Sequence, residues 1–494
     1  MRRKTLAAWL AALAVIYGLY LWGMSQRGLV GPDEPRYAAI AREMAISGDW
    51  VTPRLSSEAW FEKPALLYWM GAAAATFGFD DDRATRLPVA LLGAGFLIYF
   101  YLTLKSSFGQ KPAAFAAMIL GTSVGWVAFS HAGIFDLPLS VTISVALLSL
   151  LSWLGRDNNN ESKPPLLFGA FLGLSVLAKG LVGPVIAFLA LLPLFADARL
   201  RTRILSLARP GVLAVFAAIS LPWYVFCYVQ NGSVFVEEFI WKHHVMRFVS
   251  SELQHVQPLW YFVPVLLGML APWTPLLSLL PRLQLRDDAR LRFLAGWAGT
   301  TFLFFSLSTN KLPAYILPAL PPLAALMGVG LAKTRRSVIL LTSAALLMIL
   351  VPVGAAVLPE ALSRGLTRAW PPAGVSWPWV MGALIAAAGV AALAARGIHG
   401  GAVAAVALSA AANLFLLKLT ALPDISRQAG TRELWQQVEP RQAGTCIDDV
   451  RRHVLYGLRY YSHDRLPDCS ANPRPIRIED DPPRIVSSNG RISP

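Results

Sequence analysis

The sequence predicts an all-α polytopic membrane protein, and three observations predict it. Of 494 residues, 55% are hydrophobic and only 15% charged, where soluble domains carry roughly 25% charged residues. The apolar residues fall in runs long enough to cross a bilayer core, which takes about 20 helical residues for about 30 Å. Those runs are continuous instead of alternating at period two, which disfavours a transmembrane β-barrel. The net charge of +15 comes from 44 Lys and Arg against 29 Asp and Glu. These bases are dispersed between the apolar runs, so they read as topology signals and not as a polyanion groove; no nucleic-acid partner is expected.

The first run, 6–23, follows Arg2, Arg3 and Lys4. No small-residue cleavage site precedes the next polar stretch, so a retained anchor with a cytoplasmic N-terminus is expected. Further spans are expected at 85–104, 112–130, 138–154, 165–180, 181–196, 210–229, 258–281, 293–307, 315–332, 337–358, 376–395 and 400–422, about thirteen in all. Positive charge tests the alternation, because cytoplasmic loops concentrate Lys and Arg. Lys105 and Lys111, Arg199 to Arg209, Arg282 to Arg292, and Lys333 to Arg336 all fall on the cytoplasmic side. The weak points are the 155–164 loop, which is charge-balanced, and the Lys179-Gly180 break, where the apolar sequence scarcely pauses.

The opposite face receives 24–84, 131–137, 230–257, 308–314, 359–375 and everything after Leu422. Residues 1–422 are thus expected to form a transmembrane domain whose first periplasmic loop, 24–84, carries juxtamembrane helices. Residues 423–494, polar and Pro-rich, are expected to form a small periplasmic C-terminal domain. Cys446 and Cys469 lie in that exported segment and are compatible with a disulfide or with two free thiols, while Cys227 reads as packing within a span.

Ionisable groups near a bilayer are costly, about 2.5–3.5 kcal/mol at a helix centre, so those beside the external span ends need explaining. In GPDEPRYAAIAREMAISGDWVTP, Asp33 and Glu34 precede Pro35 and a helix-compatible stretch with a mixed apolar face, suited to the membrane surface. Glu62 and Lys63 follow in WFEKPALLYW, then Asp136 in FDLPLS, Lys179 in LAKGLVGP, Arg247 in HVMRF, and Lys311 with Tyr315 in KLPAYILP. Each has an ordinary reading beside the functional one. Single lysines at span ends serve as snorkelling anchors, Asp33 and Asp136 can cap helices, and His243, His244 and His255 can be interfacial histidines. Their gathering on one face is what the ordinary readings leave unexplained.

A lipid phosphate presented at the headgroup level needs cations of this kind. If it is a leaving group, the same cations stabilise the charge that develops as its bond breaks. Nearby carboxylates can orient an acceptor or take its proton. Sugar transfer from a polyprenyl phosphate fits these residues, and transport of an anionic lipid or solute fits the cations almost as well.

The runs DEPRYAAIAREMAISGDWVTPRL, WFEKPALLYW, RLPVALLG, FDLPLS, LAKGLVGP, HVMRF and KLPAYILPALPPLA together resemble bacterial polyprenyl-phosphate-dependent glycosyltransferases of the GT-C fold. Within that group the pattern is most similar to the 4-amino-4-deoxy-L-arabinose lipid A transferases, of the wider protein O-mannosyltransferase-like superfamily. The similarity covers about residues 6–330 and weakens to hydropathy beyond 340.

The resemblance implies an inverting transfer of a sugar from undecaprenyl phosphate to lipid A or another periplasmic acceptor, in a cavity open to periplasm and membrane lipids at the bacterial inner membrane. It implies catalytic roles for Asp33 and Asp136. Lys63 and Arg247 are implied to hold the lipid phosphate, with Lys179, Arg36, Tyr37, Lys311 and Tyr315 also on the donor. Glu62 and His244 match positions that can bind a structural Zn ion, and no cofactor is implied for catalysis itself. This chain departs from the family in carrying Lys242 and His243 where an acid precedes the motif histidine. The alternatives are a relative with another sugar or acceptor, a transporter built from half-repeats, and a non-catalytic scaffold.

Overall fold

The structure, a computed structural model, describes residues 10, 13–79, 81–155, 163–239, 241, 256–334, 337–364, 377–479, 484–487 and 490–491. It is a helical bundle with a small α/β domain at the C-terminal end of the chain. Among the described residues, seven helices are long and apolar enough to cross a membrane: Asp82–Phe108, Asp136–Leu154, Pro210–Asn231, Pro313–Lys333, Val338–Leu362, Trp377–Ala395 and His399–Ala429. Two further expected spans are bent pairs. Gln110–Gly121 meets Val124–Ser130 at 60°, and Leu259–Met269 meets Thr274–Arg282 at 108°.

The expected pair 165–180 and 181–196 corresponds to two shorter apolar helices, Leu166–Lys179 and Val182–Ala196. Their boundary is the Lys179-Gly180 step: Gly180 takes φ +69°, where a side chain is disfavoured, and its N–H returns to the Val176 carbonyl. The span expected at 293–307 is the helix Ala289–Leu307. Most of the first span, 6–16, and the whole segment 365–376 are only partly or not described.

The expected first-loop helix runs Asp33–Ser47 and stops at Gly48, whose φ of +71° ends it and whose N–H bonds the Met44 carbonyl. It buries Tyr37, Ile40, Ala41 and Met44, packing on the helix Leu66–Thr76 and on the helix Asp81–Phe108. Gly71 permits the first of these contacts, because a Cβ there would lie 2.9 Å from the Ala41 Cβ. The helix is therefore held by its buried face against both of these helices.

Between these two helices lies a short hairpin. Strand β1 (Arg54–Leu55) pairs antiparallel with β2 (Glu58–Ala59), and the two-residue turn Ser56-Ser57 has φ of +54° and +68°. Such turns ordinarily carry Gly or Asn, so contacts must hold this one. Ser56 Oγ bonds Asp464 Oδ1 at 3.0 Å, and the Ser57 N–H bonds Glu43 Oε1 at 3.0 Å.

The last long helix continues unbroken from His399 through Leu422 and Pro423 to Ala429, so the expected domain boundary at 422/423 falls inside a helix. Apolarity ends at 422, but the backbone hydrogen-bond ladder does not. Lys418 on this helix donates to the carbonyls of Gly18 and Trp22, tying it to the end of the first span. Beyond it, strands β3 (Thr445–Ile447), β4 (Ile476–Glu479), β5 (Arg484–Ser487) and β6 (Gly490–Arg491) form one sheet in that order. β3 pairs parallel with β4; the other pairings are antiparallel. Trp435, Val438, Ile447, Val454, Leu458, Leu466, Ile478 and Ile485 form its separate core. Cys446 and Cys469 are disulfide-bonded, and Cys227 is a buried free thiol.

Polar contacts dock this domain onto the first loop. Arg432 donates to the Ser25 carbonyl and pairs with Asp82 at 2.9 Å; the Tyr461 hydroxyl donates to Asp82 Oδ1 and accepts the Leu29 N–H. Arg42 donates to the Tyr460 carbonyl with its guanidinium 4.4 Å from that ring. The first loop, the 131–137 turn and the C-terminal domain thus share one end of the bundle.

Candidate active site

The first-loop helix starts with two acids whose environments differ completely. Asp33 is half-exposed at the helix end, its side chain 44% accessible, and accepts a 2.6 Å bond from Arg36 one turn later. Glu34 points the other way and is 2% exposed. It meets Arg86, which the apolar helix Asp81–Phe108 buries completely.

All five Arg86 donors are used: two bonds of 2.7 Å to the Glu34 carboxylate, and bonds to the carbonyls of Met24, Arg27 and Gly28. Glu34 also accepts N–H groups from Val30 and Gly133. A Cβ at Gly133 would come 2.2 Å from Thr85 Cγ2, so only glycine brings that N–H so close. One buried ion pair therefore joins the first loop, the second span and the 131–137 turn, and it fixes the helix start on which Asp33 sits.

Burial alone would raise Glu34, but the charges of Arg86 and Arg27, the Arg86 hydrogen bonds and the Gly133 N–H hold it down at about 2. A depressed carboxylate contributes stability above its unfolded value, and that contribution is lost as pH falls through the folded one. Thermal unfolding of the protein in detergent is therefore expected to show a melting temperature that declines from about pH 4.5 toward 2, and a Glu34→Gln variant is expected to lack most of that slope.

A second chain of alternating charge begins at Arg36. Its guanidinium bridges Asp33 to Glu62, the latter at 3.1 Å, and Lys63 contacts the other Glu62 oxygen at 2.9 Å. The rings of Tyr37, Trp60 and Tyr456 lie 5.1, 5.7 and 5.5 Å from its central carbon. Cations over aromatic faces are stabilised without being neutralised. Burial, then the charges of Asp33 and Glu62, push the Tyr37 phenol well above its ordinary value, so it stays protonated. Arg36 Nε, Trp60 Nε1 and the Tyr68 hydroxyl are buried here with no hydrogen-bond partner among the described residues.

Lys179 and Asp136 form the adjoining pair. Asp136 opens one helix and Lys179 closes another, and they meet at 2.6 Å with the ammonium 4.5 Å from the Tyr315 ring centroid. Phe135, just before Asp136, packs on Tyr37 and Tyr68 at 4.8 and 5.2 Å. Asp33 is near enough to act electrostatically on Lys179. Hence Asp33, Arg36, Tyr37, Glu62, Lys63, Asp136, Lys179 and Tyr315 occupy one neighbourhood, where cations and acids alternate beside aromatic rings.

Lys311 is employed differently. It is 3% exposed and donates to the carbonyls of Gln257 and Ser308, beside the bridge between Val256 and Asn310, so its charge is spent on joining two loops. Arg247 and His244 lie outside the described residues. Glu62 is engaged by Arg36 and Lys63, and among the described residues no three His, Cys, Asp or Glu gather as a metal site. The residues described do not by themselves fit a Zn ion.

Sequence reasoning passed over Arg86, Trp60, Tyr68 and Tyr456. Arg86 did have a signal, an arginine at the start of the apolar span expected at 85–104. Tyr456 had none, because only docking of the C-terminal domain brings it to Arg36.

Residues 62–223 match the family model for dolichyl-phosphate-mannose-protein mannosyltransferase. An undecaprenyl phosphate-alpha-4-amino-4-deoxy-L-arabinose arabinosyl transferase of Pseudomonas fluorescens is 35% identical over 338 residues, 66% of this chain and 57% of that one. Its counterpart from Edwardsiella ictaluri is 36% identical over 66% of this chain and 59% of that one. The matched region thus spans less than two thirds of the length of these relatives.

Among solved structures, ArnT from Cupriavidus metallidurans bound to undecaprenyl phosphate superposes with a TM-score of 0.77. It is 24% identical, with 96% of this chain and 93% of that chain covered. The apo oligosaccharyltransferase of Archaeoglobus fulgidus gives a TM-score of 0.52 at 14% identity, over 94% of this chain and 64% of that one. The chain is a multi-pass membrane protein with the GT-C glycosyltransferase fold, and in sequence it resembles the aminoarabinosyl transferases that use undecaprenyl phosphate.

Proposed function

We propose that the protein transfers a sugar, 4-amino-4-deoxy-L-arabinose, from undecaprenyl phosphate to lipid A at the periplasmic face of the inner membrane. The observation that carries this reading is the run Asp33, Arg36, Glu62, Lys63 with the adjoining Asp136 and Lys179 at the head of an apolar bundle. The likeness to transferases whose names specify this donor supports it.

In this reading the lipid tail lies along the apolar helices and its phosphate meets Lys63 and Lys179, with Arg247 a third cation by family resemblance. The acceptor oxygen attacks the anomeric carbon from the side opposite the phosphate. The bond from that carbon to the phosphate oxygen breaks, and the phosphate leaves with the electron pair. The cations stabilise the departing charge. Asp33, half-exposed at its helix end, is assigned to the acceptor side. A hydroxyl acceptor gives its proton to this carboxylate, whereas an acceptor phosphate is already ionised and needs no base. Asp33 then orients the amino group of the sugar and stabilises the positive charge at the reacting carbon.

Asp33→Asn is expected to lower turnover by about 10²–10⁴-fold while binding of undecaprenyl phosphate stays within a few-fold. The check is lipid A mass spectrometry and polymyxin susceptibility in a strain carrying the variant, with donor binding measured on purified protein. Wild-type modification of lipid A by Asp33→Asn would remove this residue from the reaction.

A further inference from the structure

We propose that the cleft between the first-loop hairpin and the C-terminal domain is a saccharide subsite on the acceptor side of the reaction centre. This rests on the transferase reading above. The cleft has a volume of about 430 Å³ and is lined by β1, β2 and Trp60 on one wall, and by the helix Arg452–Ser462 and the segment 464–468 on the other. That size falls within the range of about 300–1,000 Å³ for small-molecule sites.

Trp60 and Tyr456 belong to both places. They line the cleft, and the same two rings stand against Arg36, itself 2.6 Å from Asp33. The cleft therefore adjoins Arg36 and, through it, Asp33.

The chemistry of the lining selects the ligand. Two aromatic rings offer apolar faces to the C–H surface of a sugar ring. Glu58, Asp464 and Asp468 supply carboxylates against the single guanidinium of Arg459. Three acids to one base make a field that opposes a phosphate, whereas paired hydroxyls donate well to carboxylates. Among the described residues the side chains of Glu58, Tyr456 and Arg459 make no hydrogen bond or ion pair within the protein, so these polar ends are available to a ligand. The occupant is a neutral or amino saccharide ring, not an anionic group, whatever atom of the acceptor reacts.

The backbone around the cleft agrees. The non-glycine residues with positive φ among those described are Ser56, Ser57, His463 and Asp464. Ser56 and Asp464 line this cleft, Ser57 and His463 are their chain neighbours, and a Ser56–Asp464 hydrogen bond clasps the two sides. Strained backbone persists where the surroundings hold it and is concentrated at ligand-binding places.

The test uses the full chain in lipid nanodiscs, with N-acetylglucosamine and inorganic phosphate as probes in saturation-transfer NMR. Transfer to the sugar ring protons is expected, reduced at least two-fold in Tyr456→Ala and in Asp468→Asn, and unchanged by excess phosphate. No transfer, transfer undiminished from wild type in the variants, or displacement by phosphate would each overturn the inference. Asp468 is exposed on the cleft rim, so Asp468→Asn decides the matter even if Tyr456→Ala fails to fold. Thermal stabilisation by undecaprenyl phosphate is read in the same samples. Stabilisation without saccharide transfer ends this inference and leaves the transferase reading standing, and the reverse result separates them in the other direction.

Discussion

Lys63→Met is expected to lower transfer by about 10²–10³-fold, the usual cost of removing one preorganised group that stabilises a developing oxyanion. Lys63 is paired with Glu62, which Arg36 contacts from the other side. Its side chain is only 12% accessible, so water screens it little. Both donor affinity and turnover are expected to fall, because the lysine meets the phosphate before and during bond breaking. Lys63→Arg keeps the charge and is expected to recover part of the activity. Steady-state transfer from a synthetic undecaprenyl phosphate sugar, with titration of undecaprenyl phosphate itself, measures both. Unchanged donor affinity in Lys63→Met would place the phosphate elsewhere.

The largest expected loss of stability follows Arg86→Met. Removing one partner of a buried ion pair costs about 3–5 kcal/mol, and Arg27, 3.6 Å from Glu34, is left to offset only part of the stranded charge. Here the loss is compounded, since the carbonyls of Met24, Arg27 and Gly28 also lose their donor. Combining Arg86→Met with Glu34→Gln removes the stranded charge but not the stranded carbonyls, so partial recovery is expected, and a double-mutant cycle by thermal unfolding in detergent measures it. If Arg86→Met melts like wild type, the pair does not hold the first loop. Transfer is expected to fall in the same variant because Asp33 occupies the first turn of the helix that the pair fixes.

The candidate site shows how far residues disclose their use. Asp33, Lys63, Asp136 and Lys179 could be singled out because charge at the ends of apolar runs is costly, and the structure brings these four into one neighbourhood. Lys311 carried the same signal, yet its ammonium serves two backbone carbonyls. Charge near a membrane shows that a compensating partner exists; it does not show whether that partner is a ligand or the chain's own backbone. Glu34 illustrates the converse. It adjoins Asp33 in sequence, but a helix start points neighbouring side chains in different directions, and only the packing against Arg86 shows which acid is structural.

Hydropathy also had a definite reach. It placed the apolar segments but not their shape: the 60° and 108° bends, and the continuation of the last long helix to Ala429, follow from backbone hydrogen bonding and neighbour packing, to which a count of apolar residues is blind.

What the sequence determined by itself is the class of molecule, since continuous apolar runs of span length have only the bilayer core as a favourable environment, together with the identity of the costly charges. The tertiary structure decided the pairing of those charges, the buried lock between Glu34 and Arg86, and the arrival of Tyr456 at Arg36. The reason is that transfer free energy is a property of each residue and its near neighbours, whereas a Coulomb contact depends on distances between residues that lie up to hundreds of positions apart in the chain.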